Sequence, residues 1–229
     1  MRFNKVQHIF FDLDHTLWDF DKNSGLAFTS IFEKNKIAVE LETFMAVYAP
    51  INANYWKLYR ENKVTQKDLR YGRLKESFDM LKMSITDEEI DTLSIDYIEH
   101  LPSNNILLEG TLELLEYLRP KYKLHIITNG FREVQYKKLR NSGIFQFFDT
   151  ITTSEDAGVK KPDRLIFEAA LELAKAKVSN SLMIGDNFEA DILGAQEIGM
   201  EAILYNYYKE TFPEKYLQVK ALRELVSFL

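Results

Sequence analysis

Four short polar clusters hold the residues able to do chemistry in this chain. They are Asp12-Leu13-Asp14-His15-Thr16, Thr128-Asn129-Gly130, Lys160-Lys161-Pro162, and Gly185-Asp186 with Asp191 five positions further on. Unpaired carboxylates brought close together repel one another, and an oxygen-loving divalent cation removes that conflict. Four histidines and no cysteine in 229 residues favour Mg2+ over zinc at such a site. Mg2+ commonly works with one or two carboxylates, waters and a substrate phosphate oxygen. Thr128 adds a hydroxyl, nearby peptide N–H groups can face phosphate oxygens, and Lys161 adds a positive charge. Acidic groups, one lysine, one hydroxyl and a hard metal suit phosphoryl transfer better than redox or acyl chemistry.

The elements that must position these groups read as strands and helices in alternation. Apolar runs over Val6 to Phe11, Lys123 to Thr128, Thr150 to Thr153, Ser181 to Gly185 and Ala202 to Tyr205 predict five strands. Helical patterns over Glu133 to Asn141, Arg164 to Ala176 and Ala190 to Ile198 separate the later ones. The first stops at Asn141-Ser142-Gly143 and the last at Gly199. This alternation predicts an α/β fold, a Rossmann-like doubly wound parallel sheet with helices on both faces. Ligands of such sheets bind beyond the carboxyl ends of the strands, where the four clusters fall.

More than a hundred residues separate Asp12 from Thr128, whereas a βαβ unit needs only about 30. The excess predicts a helical insert over residues 17–100, with a main domain formed by 1–16 and 101–229. Helices are expected over Ser24 to Lys36, Thr43 to Asn62, Thr65 to Met80 and Thr86 to His100. Ser24, Thr65 and Thr86 are candidate N-caps, and Thr86 to Glu89 fits a capping box. Pro50 is expected to bend or split the second helix. Thr111 to Arg119, closed by Pro120, returns the chain to the main domain. Aromatic residues crowd the stretch from Phe44 to Phe78, which points to core packing.

Composition narrows the partners. A net charge of −6 argues against a nucleic-acid-binding surface for the chain as a whole. The absence of cysteine removes a disulfide framework, a thiolate nucleophile and cysteine-ligated metal sites. No apolar run is long enough for a signal peptide or a membrane span, so a cytoplasmic location without a membrane partner is expected.

The four clusters, in this order and each at or beyond a strand end, resemble the ordered motifs of the haloacid-dehalogenase-like hydrolase superfamily. The insert between the first two resembles that superfamily's helical C1 cap. The resemblance implies a strand order 5-4-1-2-3 and a Mg2+-dependent phosphomonoesterase. It makes Asp12 the nucleophile that forms an aspartyl-phosphate, and Asp14 the acid and then base of the two half-reactions. Thr128, Asn129 and Gly130 would hold the phosphoryl group. Lys161 would neutralise its charge and orient Asp12, with Lys160 as the competing choice. Mg2+ would lie between Asp12, the Asp14 backbone carbonyl and Asp186. Asp191 would support the metal's waters or Lys161, or merely sit exposed in the first turn of a helix.

Closer still, the run Phe11 to Phe20, Thr128-Asn129-Gly130-Phe131 and Gly158-Val159-Lys160-Lys161-Pro162 resemble the YjjG-like pyrimidine 5′-nucleotidases. That implies a small phosphomonoester substrate, a nucleoside monophosphate; a monomer and a homodimer both stay open. A sugar or metabolite phosphatase, for example for phosphoglycolate, remains the alternative. A phosphomutase and a non-catalytic phosphate-binding regulator also stay open. Asp14 itself argues for phosphate esters over carbon–halogen bonds, because haloacid dehalogenases lack an acid two residues after the nucleophile. For leaving-group contacts the sequence offers His15, Trp18, Phe20, Tyr55, Trp56, Phe131, Arg73 and Arg132. Packing is the competing explanation for Tyr55 and Trp56, and solvent exposure for Arg73.

Overall fold

A computed structural model describes residues 3–229. Its chain divides into two compact units, one built from residues up to Phe20 with Asn105–Leu229 and the other from Asp21–Asn104. Leu17 and Trp18 belong to the first unit because their backbones pair with it. Leu108 N–H donates to Leu17 O at 2.9 Å, and Trp18 bridges to Leu107.

The first unit is a parallel sheet of β1 (His8–Phe11), β2 (Lys123–Thr128), β3 (Thr150–Thr153), β4 (Ser181–Gly185), β5 (Glu201–Tyr205) and β6 (Gln218–Val219). Its order is β3-β2-β1-β4-β5-β6. The five expected strands thus keep the expected order, and β6 is an addition at the edge. Its two residues pair with Leu204 and Tyr205, too short a run to show any periodicity in sequence. In register, Phe11 faces Ile126 on one side and Ile184 on the other, so past the end of β1 the neighbour β4 runs one residue further and β2 two. The first five strands are buried without alternation because helices cover both faces. Phe10, Ile127, Met183 and Leu204 pack in one cluster with Ile166, Phe167 and Leu171.

Helix α1 (Phe20–Asn35) begins four residues before the expected cap Ser24. Ser24 lies inside it, buried, with its hydroxyl 2.8 Å from Tyr97 Oη. Helix α2 (Leu41–Arg60) starts from a Glu40 cap and runs through Pro50 as one element. Proline removes a single N–H, and packing of α2 along α3 (Gln66–Met80) carries the helix across that gap. Helix α4 (Asp87–His100) completes the second unit. Thr65 and Thr86 cap α3 and α4 through reciprocal capping boxes with Asp68 and Glu89. The unit's core is aromatic, with Phe28, Phe32, Phe44, Tyr48, Phe78 and Tyr97 in ring contact. Arg73, which its sequence setting would leave in solvent, is 2 % exposed there. Its guanidinium lies 4.9 Å from the Tyr97 ring centre, and Nη1 donates to Asn52 Oδ1 at 2.9 Å.

Back in the first unit, α5 (Thr111–Leu118), α6 (Arg132–Asn141), α7 (Ser154–Ala157), α8 (Arg164–Ala174) and α9 (Gly194–Glu197) follow in chain order. The helix expected over Ala190 to Ile198 begins earlier, as a wide π-helical segment Phe188–Leu193 that runs into α9. Among the described residues, no helix is long and apolar enough to cross a membrane.

Candidate active site

The strand ends set the site. Asp12 follows β1 directly, and its N–H still donates to Ile184 O of β4 at 2.9 Å. The chain then turns sharply. Leu17 and Trp18 N–H both donate to Leu13 O at 2.9 Å, and His15 takes a left-handed φ of 58°. This turn carries Asp14 to the same end of the sheet as Asp12.

Lys161 lies against Asp12. Its ammonium sits 2.6 Å from Asp12 Oδ1, 2.7 Å from Asp191 Oδ1 and 2.7 Å from the Ile127 carbonyl. The Asp12 oxygen and the Ile127 carbonyl accept hydrogen bonds from it, and Asp191 adds an ion pair. Burial opposes the Lys161 charge, but Asp12 and Asp191 outweigh it and hold the group above its ordinary pKa. Lys160 is half-buried, and burial pushes its ammonium down.

Asp191 is 1 % exposed, so it is no solvated first-turn residue. Its Oδ2 accepts from Asn187 N–H at 3.0 Å, closing the π-helical turn onto the end of β4. Asp186 is half-buried, and its Oδ1 accepts from Thr16 Oγ1 at 3.2 Å. Carboxylate oxygens of Asp12, Asp186 and Asp191 all lie within 4.8 Å of one another.

That crowding shows in the protonation equilibria. Burial, reinforced by Asp191 and Asp186, raises the Asp12 carboxyl to about 8 despite Lys161. Burial and the Asp191 charge raise Asp186 to about 7, against the opposing pull of His15 and Lys161. Both Asp191 oxygens are engaged by Lys161 and Asn187, whereas Asp12 and Asp186 each keep an oxygen outside the bonds just described. This desolvated, all-oxygen donor set fits a hard dication, whose charge would offset the repulsion among the carboxylates.

Thr128, at the end of β2, is buried. Its Oγ1 accepts from Gly130 N–H at 3.1 Å and from Gln135 Nε2 at 2.7 Å. With both lone pairs occupied, the hydroxyl proton remains to be donated. Asn129 turns its side chain to the Lys161 backbone. A side chain on Gly130 would overlap Gln135, which gives this glycine a packing reason of its own.

Two residues of α6 that the sequence reading passed over complete the site. Gln135 Nε2 donates to Asp14 Oδ2 at 3.1 Å, and Lys138 Nζ lies 2.6 Å from Asp14 Oδ1. Nothing local distinguishes Lys138 from Lys137, which is exposed and pairs with Glu133. The one available signal is helical spacing: Gln135 and Lys138 are three apart and share a face.

The leaving-group candidates are dispersed. Trp18, Phe20 and Phe131 are buried in the first unit, and Arg73 is buried in the second. Tyr55 and Trp56 are half-buried. Arg132 is exposed and pairs with Asp156 at 3.1 Å. His15 sits in a ring cluster with Phe20, Tyr207 and Tyr208, its Nε2 3.2 Å from Tyr208 Oη.

Residues 6–199 match the family model for haloacid dehalogenase-like hydrolase. The chain is 32% identical to the HAD-hydrolase YfnB of Bacillus subtilis, across 98% of this chain and 96% of that protein. The crystal structure of magnesium-bound YfnB superposes with a TM-score of 0.88 at 30% identity, covering 98% of each chain. The pyrimidine 5′-nucleotidase YjjG of Escherichia coli is 33% identical, covering 98% of each chain. A glyceraldehyde 3-phosphate phosphatase of Methanothermobacter thermautotrophicus is 34% identical, covering 88% of this chain and 86% of its own length. With its four clusters gathered at the strand ends of a parallel sheet, the chain belongs to the haloacid dehalogenase-like hydrolases.

Proposed function

We propose that the protein is a Mg2+-dependent phosphomonoester hydrolase working through an aspartyl-phosphate, with nucleoside 5′-monophosphates, pyrimidine ones foremost, as substrates. The observation that carries this reading is the convergence of Asp12, Asp186 and Asp191 on one another, with the Lys161 ammonium paired to Asp12 and Asp191. The phosphatase class is further supported by full-length relatives that hydrolyse phosphate esters.

In this mechanism an Asp12 carboxylate oxygen attacks phosphorus and the ester P–O bond breaks. Asp14 gives its proton to the departing alkoxide oxygen. Water then attacks the aspartyl-phosphate, its proton passes to Asp14, and the P–O bond to Asp12 breaks to release phosphate. Thr128 donates a hydrogen bond from its hydroxyl to a phosphoryl oxygen and keeps its proton. Lys161 keeps Asp12 aligned and offsets negative charge, while Asp191 anchors Lys161. Mg2+ would be held by Asp12, Asp186 and the Asp14 carbonyl, and it would supply charge neutralisation at the phosphoryl oxygens. The helical unit Asp21–Asn104 is read as the cap that selects the leaving group.

The pyrimidine-nucleotide preference rests on the similarity to YjjG along the whole chain. The similarity to a triose-phosphate phosphatase favours a second reading, a sugar or metabolite phosphatase. Measurement of kcat/KM with Mg2+ over a panel of nucleotides and sugar phosphates separates the two. A clear preference for pyrimidine nucleoside monophosphates supports the first, and equal or better hydrolysis of sugar phosphates overturns it.

A further inference from the structure

We propose that Lys138 is a positioning residue that holds the Asp14 carboxylate in line for proton transfer. The inference rests on Asp14 being the acid and base of the reaction. Lys138 is 2 % exposed, and a buried ammonium is expensive unless paired. Its Nζ lies 2.6 Å from Asp14 Oδ1 and 4.2 Å from the centre of the buried Trp18 ring. The aromatic face stabilises the charge from one side while the carboxylate takes it on the other.

One turn back on α6, Gln135 Nε2 donates to the other Asp14 oxygen at 3.1 Å and to Thr128 Oγ1 at 2.7 Å. Both carboxylate oxygens are therefore gripped from a single helix face. The same face sets the hydroxyl read here as a phosphoryl contact. Proton transfer requires the acid within about 2.6–3.2 Å of the leaving oxygen, so an acid free to swing would lose much of its effect. Lys137, the sequence neighbour, is exposed and takes no part in this grip.

The test compares leaving groups. An aryl phosphate such as p-nitrophenyl phosphate departs with little need of a proton, whereas an alkyl phosphate needs one. Lys138→Met should lower kcat/KM on an alkyl phosphate about 10- to 100-fold more than on p-nitrophenyl phosphate, less than the roughly 100- to 10,000-fold of a whole general-acid effect because the acid itself remains. Lys138→Arg, which keeps the charge, should recover most of that loss. Asp14→Asn should show the same aryl–alkyl split, and Asp14→Asn/Lys138→Met should be no worse than Asp14→Asn alone. Should Lys138→Met fail to fold by circular dichroism, Lys138→Gln, which keeps a donor, is measured in its place.

Equal losses on both substrates, or a double variant with multiplied losses, would overturn the proposal and leave Lys138 a packing residue. If Asp14→Asn itself lost activity equally on both substrates, the assignment of Asp14 as the acid would fall instead, and this inference with it.

Discussion

Asn129 and Lys161 exchange two hydrogen bonds. The Lys161 N–H donates to Asn129 Oδ1 at 2.7 Å, and Asn129 Nδ2 donates to the Lys161 carbonyl at 2.9 Å. One side-chain amide thus pairs with both backbone groups of a residue that β-sheet bonding does not reach. It ties the loop after β2 to the segment between α7 and α8. The Lys161 side chain starts from this clamped backbone and ends on Asp12.

Asn129→Ala removes both bonds and leaves two part-buried backbone groups without their partner. A stability loss of about 1–3 kcal/mol is expected, together with a drop in turnover as Lys161 loses its fixed origin. Urea denaturation and phosphate release measured on the same preparation check this. Unchanged stability would show that water replaces the amide without penalty.

Asp12→Asn should lower hydrolysis by at least about a thousandfold, the scale expected for loss of a nucleophile. The fold should not suffer. Burial raises the Asp12 carboxyl to about 8, so the metal-free protein already favours its neutral form, and Asp191 still pairs with Lys161 when an amide replaces it. The melting temperature without divalent cation should equal or exceed that of the unsubstituted protein. Retained turnover would remove Asp12 from its proposed role.

Mg2+ should stabilise the protein more at alkaline than at acidic pH. Burial and mutual crowding push the Asp12 and Asp186 carboxyls up, to about 8 and about 7, from 3.8 for an ordinary aspartate. Between those values the folded chain binds more protons than the unfolded one. Without metal, these groups therefore make stability fall as pH rises from 3.8 towards about 8. A cation bound to the ionised carboxylates competes with those protons. Melts with and without Mg2+ at about pH 6 and about pH 9 should show the larger shift at the higher pH. An equal or smaller shift there would contradict the ligand assignment.

Gly185→Ala should damage both fold and activity. A Cβ at Gly185 would overlap the Asp191 carboxylate, which has no room to retreat because it is buried against Lys161 and the Asn187 N–H. Overpacking of this kind costs about 1–3 kcal/mol. Thermal melts and phosphate release test it, and a variant with unaltered melting would show that the π-helical turn yields. Gly130→Ala presses on Gln135 instead, so its effect should reach Asp14 and Thr128 rather than Lys161.

Five of the six strands were legible in the chain because each is a short local run of apolar or β-branched residues, whereas β6 is only two residues long. The expected spans of β2, β3 and β4 coincide with those observed. The caps at Thr65 and Thr86 were legible for the same reason, since a capping box closes within four residues. Ser24 misled because its hydroxyl bonds Tyr97, far away in sequence. Arg73 misled because two tyrosine rings outside its own helix bury it.

By itself the sequence determined the order of strands and helices and the residue types waiting at the strand ends. Such features depend on neighbours within a turn or a strand, where periodicity and capping act. Tertiary structure alone decided which polar side chains meet. It put Lys161 between Asp12 and Asp191, drew Asn129 to the Lys161 backbone, and seated Gln135 and Lys138 on Asp14. Partners such as Asp14 and Lys138 stand more than a hundred residues apart, and only parallel pairing of β1 with β2 brings their segments to one end of the sheet. Local propensity carries no record of that distance, because the energy of an ion pair depends on separation in space and on exclusion of water.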